Sequence, residues 1–409
     1  MKSSYKRLGS FIKPVNALND AMEVKELLGI SNQKFFQKSH TNIIGIDLTM
    51  YRITRRGQFA YNRATTRNGD KISIALRQGD DCIVSPSYRI FQVIDEDILL
   101  SEYLMMWFKR PEFDRYVRFK SHGSAHEFFE FDQMCDVELP IPHIDKQKEI
   151  VKEYNVLVNR ITLNNQLIQK LEETAQAIYK QWFVDFEFPD EEGKGYKSSG
   201  GEMVFNEELN KEIPKEWYYS DFKNITTLFS GFSFKGEEYS LDSGISVVRG
   251  ENVSEKRLRW DTHKKWNHSL KGLTNVFLKE YDIVIGMDGS KVGKNWAIVS
   301  KYDLPLLLAQ RVACLRAKKE SWQLFLYYSM IVLGFGDHVS QVQTGTSIPH
   351  ISGGQILDFP LIIPDNKSLE NFNYSISKII NLSMVFTSQN KSLKELTDLL
   401  LSRLTTIRN

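Results

Sequence analysis

Two runs in this chain interleave cations with aromatic rings, a mixture suited to meeting a polyanion. The first holds Tyr51, Arg52, Arg55, Arg56, Phe59, Tyr61, Asn62, Arg63, Arg67 and Lys71, and the second Lys256, Arg257, Arg259, Trp260, Lys264, Lys265 and Trp266. Arginine and lysine supply phosphate contacts, and arginine or asparagine can pair bidentately with guanine or adenine edges. The plainer reading is a solvated strand face, because charge runs are commonly no more than that. The presence of such a run in two places favours the binding reading.

Other constellations fail on spacing. Gly286 to Asn295 is a Gly-rich, Lys-containing loop after the apolar strand Ile283 to Ile285. A Walker loop needs G-x-x-x-x-G-K-S/T; here Gly289 and Gly293 stand too close together and Asn295 follows Lys294. The segment reads as a surface loop able to touch a phosphate backbone. His122 and His126 have helical zinc spacing, but Gly123 separates them and no acidic base accompanies them. Pro189, Asp190, Glu192 and Lys194 echo a nuclease motif, crowded into one acidic turn. No G-x-G loop follows a strand in a βαβ unit, and no Pro-Pro pair of a methyltransferase occurs. The chain offers no catalytic constellation and no metal site.

The elements that must position the cations are legible in a repeat. Laid on itself with a shift of 222, the chain matches Arg89 to Arg311, Leu104 to Leu326, Val117 to Val339, Gly123 to Gly345 and Gln133 to Gln355, without gaps. Asp136 then meets Asp358, Leu139 meets Leu361, Pro142 meets Pro364 and Leu171 meets Leu393. So long a period is no solenoid; it is a whole module present twice. Each copy runs from a long mixed segment into a strand bounded by proline (Val137 to Ile141, Phe359 to Ile363) and then a helix. Proline suits an edge or terminal strand, because it lacks the ladder donor.

After Pro142 the apolar positions Ile150, Tyr154, Leu157, Ile161, Ile168, Leu171, Ala175, Ile178 and Trp182 alternate steps of four and three, with Asn164 in the polar slot. The second copy gives Phe372, Ile376, Ile379, Ser383, Phe386, Asn390, Leu393, Thr397, Leu400 and Leu404 in the same phase. A seam sustained over about five heptads argues for a coiled coil. The two stripes are expected to pair antiparallel, with facing residue numbers summing to about 554, so that Ile150 meets Leu404, Trp182 meets Phe372 and Asn164 meets Asn390. A matched polar pair can fix register. The competing arrangement packs each helix on its own module. The Pro189 to Gly201 stretch reads as a solvated linker.

Composition adds limits. The 409 residues carry 53 Lys+Arg and 51 Asp+Glu, a net charge of +2, so any case for a nucleic-acid partner is local. Hydrophobic content of 42% and charged content of 25% describe an ordinary globular protein. Cys82, Cys135 and Cys314 lie far apart, which fits a reducing cytoplasm. Met1 to Lys13 has no apolar core of a signal peptide, and no run approaches a membrane span of about 18 apolar residues. A helix of about 36 residues spans about 54 Å at its 1.5 Å rise, and a turn of duplex is about 34 Å. Two modules on an antiparallel pair would suit two unlike half-sites.

These features resemble the specificity subunit of a type I restriction–modification system, over nearly the whole chain. Gly57 to Arg63 with Ser85, Pro86, Tyr88, Arg89, Ile90 and Phe91 resemble strand pairs of its target-recognition domains. Gly201 to Trp217, with Met203, Ile213 and Pro214, resembles the lead-in to a second such domain, and Gly345 to Pro364 its closing segment. Ala175, Ile178, Trp182 and Phe183 lie in a helix similar to the family's central spacer.

The resemblance implies an α+β fold: two tandem target-recognition domains joined by an antiparallel two-helix coiled coil, with a pseudo-two-fold internal repeat. The expected divisions are 1–143, a spacer helix 144–187, a linker 188–216, a second domain 217–365 and a C-terminal helix 366–409. Each domain would read half of an interrupted, asymmetric DNA site. The helices would dock two modification subunits that bind S-adenosylmethionine and methylate adenine; restriction subunits would bring ATP and Mg. This chain itself would hold no cofactor and be non-catalytic. Composition and position nominate Asn62, Arg63, Arg67, Tyr88, Arg89, Lys235, Ser290, Lys291, Lys294 and Arg311 as DNA contacts. The rival readings are a two-lobed protein scaffold that binds no DNA and a nuclease using the Asp190 cluster.

Overall fold

The computed structural model describes residues 5–39, 45–64, 71–121, 127–345 and 349–406. It falls into two units, Met1–Leu163 with Asn390–Asn409, and Asn164–Gln389. No helix among the described residues is long and apolar enough to cross a membrane.

In the first unit, β1 (Tyr5–Arg7) pairs antiparallel with β6 (Glu138–Pro140). Between them in sequence lies a four-stranded sheet in the order β2 (Ile12–Val15), β5 (Tyr88–Val93), β3 (Gln58–Asn62), β4 (Ile74–Leu76). Phe59 and Phe91 face each other across the ladder with ring centroids 4.8 Å apart. The helix α1 (Ser101–Lys109) caps that face, its Phe108 ring edge-on to both. Next, α2 (Pro111–Lys120) starts on a proline, which gives up no needed donor at the first helical position. Then α3 (Phe131–Cys135) leads into β6 and the long helix α4 (Ile144–Tyr179), which continues as a π turn over Lys180–Val184.

The second unit repeats this order. β7 (Tyr218–Asp221) pairs with β12 (Pro360–Ile363). The four-stranded sheet runs β8 (Thr226–Ser230), β11 (Val312–Ala317), β9 (Ile283–Gly286), β10 (Trp296–Ile298). Helices α5 (Gln323–Val332), α6 (Phe335–Val342), α7 (Gly353–Leu357) and α8 (Asn366–Arg403) follow. The starts of α1 and α5, α3 and α7, β6 and β12, and α4 and α8 each differ by the 222 residues read from the sequence. The copies diverge elsewhere: Arg52–Thr54 pairs antiparallel with Cys82–Val84, whereas Ile245–Val248 runs parallel to Leu306–Leu308.

The matched residues have structural work. Leu104 and Leu326, Val117 and Val339, Leu139 and Leu361 are all core side chains. Gln133 and Gln355 each make the same joint. Their side-chain oxygen accepts the N–H of Glu130 (2.7 Å) or Ser352 (2.8 Å), closing the capping box of α3 or α7. Their amide nitrogen donates to the carbonyl of Lys120 or Val342, the last residue of α2 or α6. One glutamine thus satisfies orphan groups at the ends of two helices.

The apolar stripe of α4 is covered by α8 in each unit. In the first, Ile150, Val151 and Tyr154 share a core with Leu401 and Leu404. In the second, Ala175, Tyr179, Trp182 and Phe183 share one with Leu369, Phe372, Ile376 and Met384. There the Trp182 and Phe372 rings lie 5.8 Å apart, and Asn164 donates to Gln389 at 3.4 Å. Numbers rise along one helix as they fall along the other, so the helices run antiparallel, with facing numbers summing to 554 and 553. Asn164 is wholly buried, and Gln389 is the neighbour of the residue expected to face it. Leu157, Ile161, Ile168, Leu171 and Ile178 on α4, and Ile379, Phe386, Leu393 and Leu400 on α8, are half-buried; Asn390 is buried.

The Pro189 to Gly201 stretch is largely exposed, as expected, and buried anchors stand on either side of it. Phe186, Phe188 and Ile213 are buried in the second unit's core, Trp217 stacks on Phe188 at 4.7 Å, and Met203–Asn206 forms a hairpin with Lys211–Pro214. The acidic turn between those aromatic residues is the solvated part.

Replacing Gln355 by alanine strands the α6 carbonyl and opens the capping box. Urea unfolding should register a loss of about 1–2 kcal/mol. Phe372→Ala empties a site packed by Tyr179, Trp182 and Phe183. It should cost about 3–5 kcal/mol in the same measurement, while exposed Leu396→Ala stays within about 0.5.

Candidate nucleic-acid interface

In the first unit the pairing of β3 with β5 sets Tyr61 opposite Arg89 and Asn62 opposite Tyr88. Four nominated residues, Asn62, Arg63, Tyr88 and Arg89, therefore meet at one end of the sheet. Arg52 joins them. Burial first, and then the charges of Arg89 and Arg63, pull its guanidinium below the ordinary arginine value. Crowded like charges disfavour the charged form, so this corner gains from an anion. Four of these side chains are also held by neighbours. The Arg63 guanidinium lies 4.6 Å over the Phe128 ring and pairs with Glu130 at 2.8 Å. Arg52 donates to Asn16 at 3.1 Å. Asn62 accepts the Ala64 N–H at 3.1 Å, and the Tyr88 hydroxyl accepts the Ile30 N–H at 3.4 Å. Arg67 lies outside the described residues.

The aromatic half of the first run has a different role from the one its spacing suggested. Tyr51, Phe59 and Tyr61 are core residues, so these rings offer no stacking platform. The second run divides likewise. Trp266 is buried, and Trp260 donates to Asp303 at 3.2 Å, while Lys256, Arg257 and Arg259 are exposed.

In the second unit, Ser290, Lys291 and Lys294 are exposed on the loop after β9. The Gly289 N–H donates to Pro349, and the Ile351 N–H to Met287, both at 3.0 Å. Gly293 sits at φ +83°, where an added Cβ would come within 2.8 Å of Val339, so the loop can lie against α6 only with glycine there. Arg311 begins the return into β11, and its carbonyl accepts the Met287 N–H at 3.3 Å. Its side chain is 80% exposed and pairs with Asp288 at 3.3 Å. The other Asp288 oxygen lies 2.6 Å from His350 Nδ1. Lys235 stands apart, on a segment whose Phe232 N–H donates to Leu308, and pairs with Glu238 at 3.4 Å.

The copies share one more joint. The segment after β3 bridges Ala64 to Phe128, and the segment after β9 bridges Asp288 to His350. The Phe129 N–H donates to Arg63 at 2.8 Å, as the Ile351 N–H does to Met287. Sequence reasoning missed Phe128, Glu130, Asp288 and His350. The available signal was the 222 shift itself, which sets Phe128 on His350.

The remaining candidates are structural. Asp190 accepts the N–H groups of Glu192 and Lys194 at 2.9 and 2.8 Å, forming a turn. His122 and His126 lie outside the described residues. Among the described residues no group of three or more His, Cys, Asp or Glu side chains gathers to hold a metal.

Residues 18–173 match the family model of the type I restriction modification DNA specificity domain. The chain is 24% identical over 317 residues to the type I restriction enzyme MjaIX specificity subunit of Methanocaldococcus jannaschii, covering 76% of this chain and 70% of that one. It is 30% identical over 180 residues to the EcoAI specificity subunit of Escherichia coli, covering 42% of this chain and 30% of the relative. A crystal structure of the type I restriction–modification S subunit from M. genitalium aligns over 99% of this chain and 96% of its own, with a TM-score of 0.61 at 13% identity, a likeness of fold. With its duplicated α+β modules and paired long helices, the chain is similar throughout to the specificity subunits of type I restriction–modification systems, and residues 18–173 carry the DNA specificity domain of that family.

Proposed function

We propose that each module reads one half of a bipartite, asymmetric DNA site. The observation that carries this is that both copies set cations beside the same joint of an identically ordered sheet, half-buried in the first and exposed in the second, with different side chains in each. In this reading Asn62, Arg63, Arg67, Tyr88 and Arg89 serve one half-site, and Lys235, Ser290, Lys291, Lys294 and Arg311 the other. The recognition domains are 1–143 and 217–365, with 188–216 as the connection. The helices 144–187 and 366–409 set the gap and dock two modification subunits. Exposed Val156 and Leu163 on α4, and Tyr374 and Leu396 on α8, support protein docking there. Those partners bind S-adenosylmethionine and methylate adenine, restriction subunits bring ATP and Mg, and the assembly works on double-stranded DNA in the cytoplasm.

Mapping methylated adenines across the genome with and without this gene tests the reading. Loss of one interrupted motif supports it, and an unchanged map defeats it. Exchanging residues 1–143 for another module should alter one half-site and leave the other. Adding a heptad to both helices should lengthen the gap and preserve the half-sites. In the assembled complex, Lys294→Ala should weaken binding to all sequences alike and lower the salt slope of log affinity by about 1. A sequence-dependent effect would remove Lys294 from the phosphate contacts.

A further inference from the structure

We infer that Arg311 reads a guanine in the second module's half-site, and that Asp288 and His350 are the positioning residues that aim it. This rests on the reading of the chain as a DNA-specificity subunit and goes beyond it by assigning a base and its reader. Arg311 is 80% exposed, yet its guanidinium is not left to wander: Nη1 meets Asp288 at 3.3 Å. Asp288 is itself held. Its backbone forms a bridge with His350, and its second oxygen lies 2.6 Å from His350 Nδ1. An ionised carboxylate only accepts, so Nδ1 carries the proton and donates. His350 is fixed in turn by backbone hydrogen bonds in both directions with Thr344, at 2.8 and 3.0 Å. Three side chains thus run from an anchored backbone to one exposed guanidinium.

The carboxylate distinguishes the two uses of an arginine. A phosphate clamp works by charge, and a neighbouring carboxylate would repel the phosphate and cancel part of the attraction. Base reading works by direction. Guanine presents two neutral acceptors, O6 and N7, to a planar fork of N–H donors. Arginine has five such donors, and Asp288 engages Nη1 while the rest of the fork stays available. Holding the fork in place reduces the freedom lost on binding. Ser290, Lys291 and Lys294, on the loop whose Met287 N–H is tied to the Arg311 carbonyl, are the groups suited to the phosphates alongside.

The first module supports this by contrast. At the equivalent bridge Ala64 stands in place of Asp288 and Phe128 in place of His350, and Arg63 lies on the Phe128 ring and pairs with Glu130. One backbone joint carries a different arginine support in each copy, as two readers of unlike half-sites require.

The test uses the full complex of this chain with its modification subunits, S-adenosylmethionine and amplified, unmethylated genomic DNA, with methylated adenines read by long-read sequencing. The wild-type motif should contain a guanine in the half-site that survives exchange of residues 1–143. Arg311→Lys should relax that one position by about tenfold or more and leave every other position unchanged. Asp288→Asn and His350→Gln should loosen the same position, which a merely structural role would not single out. These side chains are partly or largely exposed, so a thermal melt of each variant should match the wild type. An unchanged motif in Arg311→Lys, or a uniform fall in methylation at all sites, overturns the assignment. A wild-type complex that yields no motif overturns the parent reading and this inference with it.

Discussion

An apolar stripe along a helix of 36 residues cannot be left in water, and most of this fold follows from covering it. Helical propensity contributes little to such a segment; tertiary burial of one face stabilises it. The cover comes from α8, and it comes in both units. The first core is completed by Leu401 and Leu404, and the second by Leu369, Phe372 and Ile376. The first unit is not a contiguous stretch of chain, since Asn390–Asn409 returns to it. A break in the last helix would therefore expose Ile150 and Tyr154 in a module whose strands lie hundreds of residues earlier.

The repeat separates residues that build the framework from residues that vary on it. Positions identical between the copies are packing or joint positions: Leu104 and Leu326 in the cores, and Gln133 and Gln355 joining two helix ends. Positions at the shared bridge differ, with Ala64 and Phe128 in one copy and Asp288 and His350 in the other. A framework that keeps its hydrogen-bonded joints can change the side chains mounted on them at small energetic cost, since the joint is made by backbone and glutamine. Arg89 and Arg311 are the exception, identical and yet at the cationic edge. Arg311 has an acidic partner in Asp288, and Arg89 lies within electrostatic reach of Arg52.

The legibility of the fold in the sequence follows the same division. Gapless packing positions gave the repeat, and heptad spacing gave the helix phase, because burial imposes a period that survives drift in residue type. The register was readable since the stripe and its single Asn slot leave few alignments. The burial of the aromatic members of the basic runs was not legible. Local composition does not say which strand is covered on both faces, and Gln58–Tyr61 is buried on both, with Phe59 and Tyr61 in one core and Ala60 in another. The solvated turn at Asp190 was legible from its charges, while the contacts of its flanking anchors Phe186 and Phe188 with Trp217 were not, because they join residues some thirty positions apart. The Asp288–His350 contact joins residues 62 apart, a pairing no local spacing rule reaches.

Charge decides how such a chain can discriminate. With 53 cations against 51 acids, it has little sequence-independent pull on a polyanion. Many cations at the edges carry acidic partners besides: Arg63 has Glu130, Arg311 has Asp288, Lys235 has Glu238. These pairs are partly or largely exposed and stabilise the fold only slightly, so their consequence is for the ligand. Each acid lowers the local attraction for phosphate and restricts where the cation can point. Affinity per contact falls while the difference between right and wrong bases is retained, because the latter depends on donor direction and not on summed charge.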